Sequence, residues 1–142
     1  MRTPVAPTSE SPALSMMSLI SIVDDDASVR VGTDNLLSSH GYRVRTFASA
    51  EEFLQSSCLN DSSCVIADVQ MPAMSGLDLL MHMRAHGYDA PFIFITAFPE
   101  ESVRTQALKA GAISFLAKPF AGSVLINCVE IALSSRRGDV GK

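Results

Sequence analysis

The stretch Cys64-Val65-Ile66-Ala67-Asp68-Val69-Gln70-Met71-Pro72-Ala73-Met74-Ser75-Gly76-Leu77-Asp78 decides the fold. Its first half is an apolar run that predicts a buried strand, and this run ends in a single carboxylate, Asp68. A turn containing Pro72 follows, and a helical pattern begins at Ser75 or Gly76. Asp68 is therefore expected at the carboxyl end of a strand, where open α/β sheets bind ligands. An Asp before a turn is by itself more typical of a loop or a helix cap, so its significance depends on the rest of the chain.

The composition predicts a single globular domain. The chain has 142 residues, of which 47% are hydrophobic and 18% are charged. No apolar run reaches the roughly 18 to 20 residues that a membrane helix needs. The net charge of -4 and the sequence pI near 5.2 argue against nucleic-acid binding by this domain. We therefore expect a cytoplasmic protein that contacts neither a membrane nor, through this domain, nucleic acid.

Composition also predicts the domain boundaries. Residues 1–17 are rich in proline and serine, which predicts a disordered N-terminal leader. The folded domain is expected over residues 18–137, and residues 138–142 are expected to be a C-terminal tail or the start of a linker. The three cysteines, Cys58, Cys64 and Cys128, show no CxxC spacing and are expected to be reduced thiols.

Strands and helices are predicted to alternate along the rest of the chain. The five predicted strands are residues 19–23, 42–47, 65–67, 92–95 and 113–117. The predicted helices begin after Asp26, at Ser49, at Ser75 or Gly76, near Pro99 and near Gly122, and the last ends near Arg137. Asp26 is expected to cap the first helix, and Ser49 with Glu52 predicts a capping box at the second.

Helical spacing predicts which side chains of the later helices face the core. The predicted inward residues are Leu77, Leu80 and Met83 in the third helix, Val103, Ala107 and Leu108 in the fourth, and Val124, Cys128, Ile131 and Ala132 in the fifth.

Continuously apolar strands predict a parallel sheet that is covered on both faces. With right-handed crossovers, the predicted fold is a three-layer, doubly wound α/β sheet of five parallel strands in the order 2-1-3-4-5, the flavodoxin-like (βα)5 arrangement. The first and fifth helices are expected to cover one face, and the second to fourth helices the other.

This strand order brings polar residues to one edge of the sheet. They are Asp24 and Asp25, Asp68, Thr96 and Lys118. Two carboxylates about 4 Å apart repel by roughly 4 kcal/mol at an effective dielectric near 20, so a divalent cation is expected among them. Oxygen ligands favour Mg²⁺ or Mn²⁺. A hydroxyl and an ammonium group beside such an ion are typical of a phosphoryl-transfer site.

The chain resembles the receiver domain of bacterial two-component response regulators. The matching segments are Ile22-Val23-Asp24-Asp25-Asp26, Asp68 to Gly76, Ile95-Thr96-Ala97 and Phe115 to Phe120. The segment Thr46 to Leu54 is most similar to the FixJ/NarL-like subgroup, which carries a C-terminal helix-turn-helix.

The resemblance implies a role for each residue of the site. Asp68 would accept a phosphoryl group from a sensor histidine kinase or a small acyl phosphate, Thr96 would hydrogen-bond that group, and Lys118 would pair with it. The implied metal ligands for Mg²⁺ (or Mn²⁺) are Asp25, Asp68 and the backbone carbonyl of Gln70, with Asp24 acting mainly through water. Phe115 is implied to be a switch residue whose ring turns inward when Thr96 moves.

The resemblance also implies how the signal leaves the domain. Phosphorylation would change the surface formed by the fourth helix, the fifth strand and the fifth helix, through which a homodimer could form. The output is expected to be control of transcription through a C-terminal DNA-binding domain, and the chain is not expected to be a turnover enzyme.

Two alternatives remain at this point. One is a haloacid-dehalogenase-like phosphatase with Asp24 as the nucleophile, since Asp24-Asp25-Asp26 fits an Asp-x-Asp pattern. Such enzymes need a further acidic pair after the lysine, which this sequence lacks. The other is a stand-alone single-domain regulator that acts by protein contacts.

Overall fold

Five strands alternate with helices in the computed structural model, which describes residues 18–141, with side chains described as far as residue 134. The predicted leader, residues 1–17, lies outside the described residues. The strands are β1 (Leu19–Val23), β2 (Arg43–Phe47), β3 (Ser62–Asp68), β4 (Phe92–Thr96) and β5 (Ser114–Ala117). The helices are α1 (Ala27–Ser39), α2 (Ala50–Leu54), α3 (Gly76–Ala85), α4 (Glu101–Lys109) and α5 (Gly122–Gly141), and a four-residue helical turn, Cys58–Asp61, precedes β3.

The five strands form one parallel sheet in the order β2-β1-β3-β4-β5, which confirms the predicted fold class. The register aligns the carboxyl ends of the strands. Val23 pairs with Ala67, Asp68 with Ile95, and Thr96 with Ala117. Residues that follow these positions therefore emerge along one edge of the sheet.

Two apolar cores lie on opposite faces of the sheet, because successive side chains of a strand point to opposite sides. In β3, Cys64 and Ile66 belong to the core under α1 and α5, whereas Val65 and Ala67 belong to the core under α2, α3 and α4. Every residue of β1 and β4 is buried, which explains why these strands are apolar apart from Ser21 and Thr96. The predicted distribution of helices over the two faces is confirmed.

Side-chain caps fix the starts of three helices. Asp26 accepts hydrogen bonds from the amides of Ser28 and Val29, at 2.9 and 3.3 Å, as predicted. At α2 the Ser49 hydroxyl accepts from the Glu52 amide, but the Glu52 carboxylate accepts from the Ala48 amide instead of completing the predicted box.

A complete capping box stands at α3. Ser75 and Asp78 bind each other's backbone amides there. The sequence pattern missed this box because aspartate replaces the usual glutamate or glutamine.

The predicted inward faces of the helices are partly wrong. In α3 the buried residues include Leu79, whereas Leu77 is only half-buried. Leu108 of α4 is 38% exposed, and Val124 and Ile131 of α5 are 45% and 51% exposed. The core-facing residues of α5 are Leu125, Ile126, Cys128, Val129 and Ala132. This helix carries apolar residues on two adjoining stripes, and contact with the sheet decides which stripe is buried.

Helix α5 continues to Gly141, past Arg137 where the sequence predicted its end. The domain boundaries at residues 17 and 137 stay predictions. Among the described residues, no helix is both long and apolar enough to cross a membrane.

Candidate functional site

Four strand ends place the predicted site residues together. Asp24 follows β1, Asp68 and Thr96 are the last residues of β3 and β4, and Lys118 follows β5. Backbone hydrogen bonds extend the sheet past the strand ends: the Asp24 amide donates to the Phe47 carbonyl at 3.0 Å, and the Lys118 amide donates to the Thr96 carbonyl at 2.8 Å. The positions of the site residues are therefore set by the rigid sheet.

Three carboxylates converge at this edge. Asp24, Asp25 and Asp68 each offer an oxygen atom, and these atoms lie within 4.8 Å of one another. The side chain of Asp24 is fully buried and Asp68 is 6% exposed, whereas Asp25 is exposed. Like charges this close repel unless a cation compensates them. The donor set consists of oxygen atoms only, so it suits a hard divalent cation such as Mg²⁺ or Mn²⁺.

The ammonium group of Lys118 bridges two of these carboxylates. Its Nζ donates to Asp68 Oδ2 at 3.1 Å and to Asp24 Oδ2 at 3.2 Å. Burial of Lys118 opposes its charge, but the hydrogen bond to Asp68 and the negative charges of Asp24 and Asp68 outweigh this and raise the pKa of the ammonium group. Lys118 therefore carries its positive charge at neutral pH.

Asp24 is the most enclosed carboxylate of the cluster. Its Oδ1 accepts from the Asp26 amide at 2.9 Å, and its Oδ2 accepts from Lys118. Burial raises the pKa of Asp24 above its ordinary value, and the charge of Asp68 adds to this, although the Asp26 amide and Lys118 act in the opposite direction. Arg30 Nη1 donates to the Asp24 carbonyl at 2.7 Å and so holds this backbone from α1. Nothing in the sequence pattern points to Arg30.

The turn after Asp68 is held by the same carboxylate. Asp68 Oδ1 accepts from the Gln70 amide at 3.0 Å, and the Gln70 side chain is exposed. The next turn of chain brings Gly76 against the backbone of Asp68, and a Cβ at Gly76 would overlap the Asp68 carbonyl oxygen and lie 3.0 Å from Phe94 Cε1. The sequence shows Gly76 as part of a motif, but only the packing shows that it needs to lack a side chain.

Thr96 ends β4, and Phe115 lies in the neighbouring strand β5. The buried Thr96 hydroxyl accepts from the Phe98 amide at 3.0 Å, and the Phe98 side chain is 66% exposed beside the site. Phe115 is half-buried and lines a separate cleft of about 180 Å³ with Pro99 and Arg104. The structure thus gathers Asp24, Asp25, Asp68 and Lys118 directly, and places Thr96 at the same edge.

The comparisons with known proteins agree with this fold. The model of the response regulator receiver domain family matches residues 20–130. The transcriptional regulatory protein TdiR of Thauera aromatica is 39% identical over 120 residues, covering 84% of this chain and 53% of TdiR. The transcriptional regulatory protein FixJ of Bradyrhizobium diazoefficiens is 35% identical over 114 residues, covering 80% of this chain and 56% of FixJ. The crystal structure of FixJ-N superposes with a TM-score of 0.75 at 34% identity, covering 82% of this chain and 94% of that one.

The chain belongs to the response regulator receiver domain family of two-component signalling. Within that family it is of the FixJ/NarL-like kind. Receiver domains bind Mg²⁺ at an acidic pocket and interact with histidine kinases, and they are generally not turnover enzymes. The chain spans about half the length of the curated relatives it matches.

Proposed function

We propose that Asp68 is the phosphoacceptor of this receiver domain and that a sensor histidine kinase is its donor. The observation that carries the proposal is the contact of Asp68 with Lys118 within a cluster of three carboxylates at the carboxyl edge of the sheet. The ammonium group of Lys118 beside Asp68 can stabilise the negative charge of an incoming phosphoryl group. The domain accepts one phosphoryl group on Asp68, can lose it again by hydrolysis, and is not a turnover enzyme.

The chemistry is a transfer between two nucleophiles. A carboxylate oxygen of Asp68 forms a bond to phosphorus while the bond from phosphorus to the histidine nitrogen of the kinase breaks, and the nitrogen keeps the electron pair. Lys118 already lies 3.1 Å from Asp68 Oδ2, so its ammonium group can neutralise charge on the phosphoryl oxygens without a large movement. The product is an acyl phosphate on Asp68.

The geometry supports different roles in metal binding for the three acidic residues. Both carboxylate oxygens of Asp24 already accept hydrogen bonds, from the Asp26 amide and from Lys118. Asp25 is exposed and is therefore more accessible to a cation. The proposed direct ligands of Mg²⁺ (or Mn²⁺) are Asp25, Asp68 and the Gln70 carbonyl, with Asp24 acting through water. When bound, the cation would offset negative charge on the carboxylates and on the phosphoryl oxygens.

The proposed switch starts at Thr96. Its hydroxyl accepts from the Phe98 amide in this structure, and phosphorylation would offer it a phosphoryl oxygen as a new acceptor. Phe115 borders a cleft into which an aromatic ring can shift, next to α4 and the end of β5. The exchange would shift the population of states of the α4, β5 and α5 surface, through which a homodimer could form.

Labelling with acetyl phosphate in Mg²⁺ tests the proposed phosphoacceptor. The wild-type chain and Asp61→Asn, which alters an exposed carboxylate away from the cluster, are expected to gain one phosphoryl group by mass spectrometry. Asp68→Asn is expected to gain none, because the amide is not a comparable nucleophile. Label that persists in Asp68→Asn but disappears in Asp24→Asn would instead support the phosphatase-like alternative, in which Asp24 is the nucleophile.

We also propose that the output is control of transcription in the cytoplasm, through a DNA-binding domain. TdiR and FixJ are both named as transcriptional regulatory proteins, and this chain matches about half of each. A helix-turn-helix encoded after Lys142 in the same reading frame is the expected finding. An immediate stop codon would favour the stand-alone regulator that acts by protein contacts.

A further inference from the structure

Two histidines share one face near the C-terminal end of α3. His82 and His86 are four residues apart, and their imidazole rings stack with centroids 4.2 Å apart and an interplanar angle of 27°. His86 is exposed and His82 is half-buried. Both rings can therefore be reached from solvent, and neither takes part in the acidic cluster.

A backbone hydrogen bond sets the tautomer of His86. Its Nδ1 lies 2.8 Å from the His82 carbonyl oxygen. A carbonyl oxygen only accepts, so Nδ1 carries the proton and the neutral ring presents its lone pair at Nε2. Histidines that bind metals are commonly held in this way, with one ring nitrogen donating to a carbonyl and the other facing the ion.

We propose that His82 and His86 form a surface site for a divalent transition-metal ion that prefers imidazole nitrogen, namely Cu²⁺, Ni²⁺ or Zn²⁺. Histidines at positions i and i+4 of a helix can bind one ion together. Metal–nitrogen bonds of about 2.0 to 2.1 Å bring two ligating nitrogens to roughly 3 Å from each other. The two rings are 4.2 Å apart and 27° from parallel, so side-chain rotation has to turn their in-plane nitrogen lone pairs toward one ion.

The site has two protein ligands, and water would complete the coordination. Asp78 precedes His82 by one helical turn, but its carboxylate accepts from the Ser75 amide at 3.3 Å in the capping box of α3. Among the described residues, the acidic cluster is the one group of three or more metal-ligating side chains. Moderate affinity is therefore expected, in the order Cu²⁺ above Ni²⁺ and Zn²⁺. Mg²⁺ should bind poorly here because it prefers oxygen.

The two metal sites lie at opposite edges of the sheet. Helix α3 starts just after the carboxyl end of β3 and leads the chain back to the start of β4 at Phe92. The end of α3 that carries His86 is therefore at the amino edge, whereas Asp68 is at the carboxyl edge. An ion bound by the two histidines would not displace one from the acidic cluster.

Ni²⁺ is a suitable probe, because it prefers imidazole and does not oxidise thiols. Isothermal titration in excess Mg²⁺, which occupies the acidic cluster, is expected to show one Ni²⁺ site per chain. His82→Gln and His86→Gln are each expected to weaken binding at least tenfold. Far-ultraviolet circular dichroism and labelling with acetyl phosphate should remain at wild-type level in both variants, since neither residue contacts the acidic cluster.

His40→Gln is the matched control. His40 ends α1, and its Nδ1 lies 3.0 Å from the carbonyl oxygen of Leu36, four residues earlier. It therefore repeats the arrangement of His86 without a second imidazole. The His40 variant is expected to bind Ni²⁺ like the wild type. Unchanged binding in His82→Gln or His86→Gln, or an equal loss in His40→Gln, would overturn the proposed site.

Discussion

Lys118 Nζ lies 3.1 Å from Asp68 Oδ2, so an ion pair joins two residues that are 50 positions apart in the chain. The same ammonium group reaches Asp24 at 3.2 Å. One lysine thus pairs with two of the three carboxylates, and the cluster retains an excess of negative charge. This excess is the physical basis for the affinity of the site for a divalent cation.

Mg²⁺ should stabilise the wild-type domain more than Asp25→Asn, because the variant has lost both a proposed ligand and part of the repulsion that the ion relieves. At a free concentration of 100 times the dissociation constant, binding adds about 2.7 kcal/mol to the free energy of unfolding. Thermal unfolding with and without Mg²⁺ measures the difference, and Asp61→Asn should respond like the wild type. Equal shifts in wild type and Asp25→Asn would contradict the proposed ligand set.

Removing the charge of Asp24 should stabilise the metal-free domain at neutral pH. Burial raises the pKa of Asp24 above its ordinary value of 3.8, so the charged form is disfavoured in the folded state. A carboxyl group whose pKa is raised by folding stabilises the folded state when the pH lies below its unfolded-state pKa. This stabilisation is lost as the pH rises through its pKa in the folded state. The gain in the free energy of unfolding of Asp24→Asn over the wild type should therefore shrink as the pH falls from neutral through the folded-state pKa of Asp24 toward 3.8.

Urea unfolding in a chelator at a series of pH values measures this effect. The amide side chain introduced by Asp24→Asn keeps one oxygen that can accept from Lys118, but its nitrogen cannot accept from the Asp26 amide, so the variant loses one hydrogen bond. A variant less stable than the wild type at neutral pH would show that the ion pair with Lys118 and the hydrogen bond from the Asp26 amide together outweigh the burial of the Asp24 charge.

Gly76→Ala should destabilise the fold, because the new Cβ would overlap the Asp68 carbonyl oxygen and crowd Phe94. Overpacking of this kind costs about 1 to 3 kcal/mol. Gly32→Ala is the matched control: Gly32 is also helical, and nothing lies within 4 Å of a Cβ added there. Gly32→Ala should raise the free energy of unfolding by roughly 0.5 to 1 kcal/mol, because alanine has a higher helix propensity than glycine. Denaturant unfolding of the two variants should therefore give shifts of opposite sign, and equal stability would disprove the role of the close approach at Gly76.

Phe98→Ala should shorten the lifetime of the phosphorylated domain several-fold, if the exposed ring shields the acyl phosphate from water. Phe98 is 66% exposed, and its amide donates to the Thr96 hydroxyl at the edge of the site. Loss of phosphoryl label with time measures the lifetime. Met81→Ala, which removes a 57% exposed side chain from α3, should leave it unchanged. A lifetime in Phe98→Ala equal to that of the wild type counts against shielding.

The strands and the site were more predictable than the helix faces. Asp24, Asp68, Thr96 and Lys118 each follow or end a short apolar run, and a parallel sheet of known strand order places such residues at one edge. Helix α5 was harder, because Val124 and Leu125 are both apolar and start equally regular stripes along the helix. Only Leu125 is buried, since the sheet covers its side of the helix.

Local hydrogen bonding was also only partly predictable. Asp26 was recognised as a cap from its position alone, whereas the contact of Arg30 with the Asp24 carbonyl depends on how α1 sits against the sheet. The need for glycine at position 76 likewise depends on how closely α3 approaches β3.

The sequence by itself determined the alternation of strands and helices, the order of the sheet and the residues at its carboxyl edge. These follow from local patterns of apolar residues and turns, together with the handedness of crossovers. The tertiary structure alone decided that Lys118 lies between Asp24 and Asp68, that Gly76 has no room for a side chain, and which stripe of α5 is buried. Those features depend on distances between segments far apart in the chain, and such distances are set by packing against the sheet rather than by any local pattern.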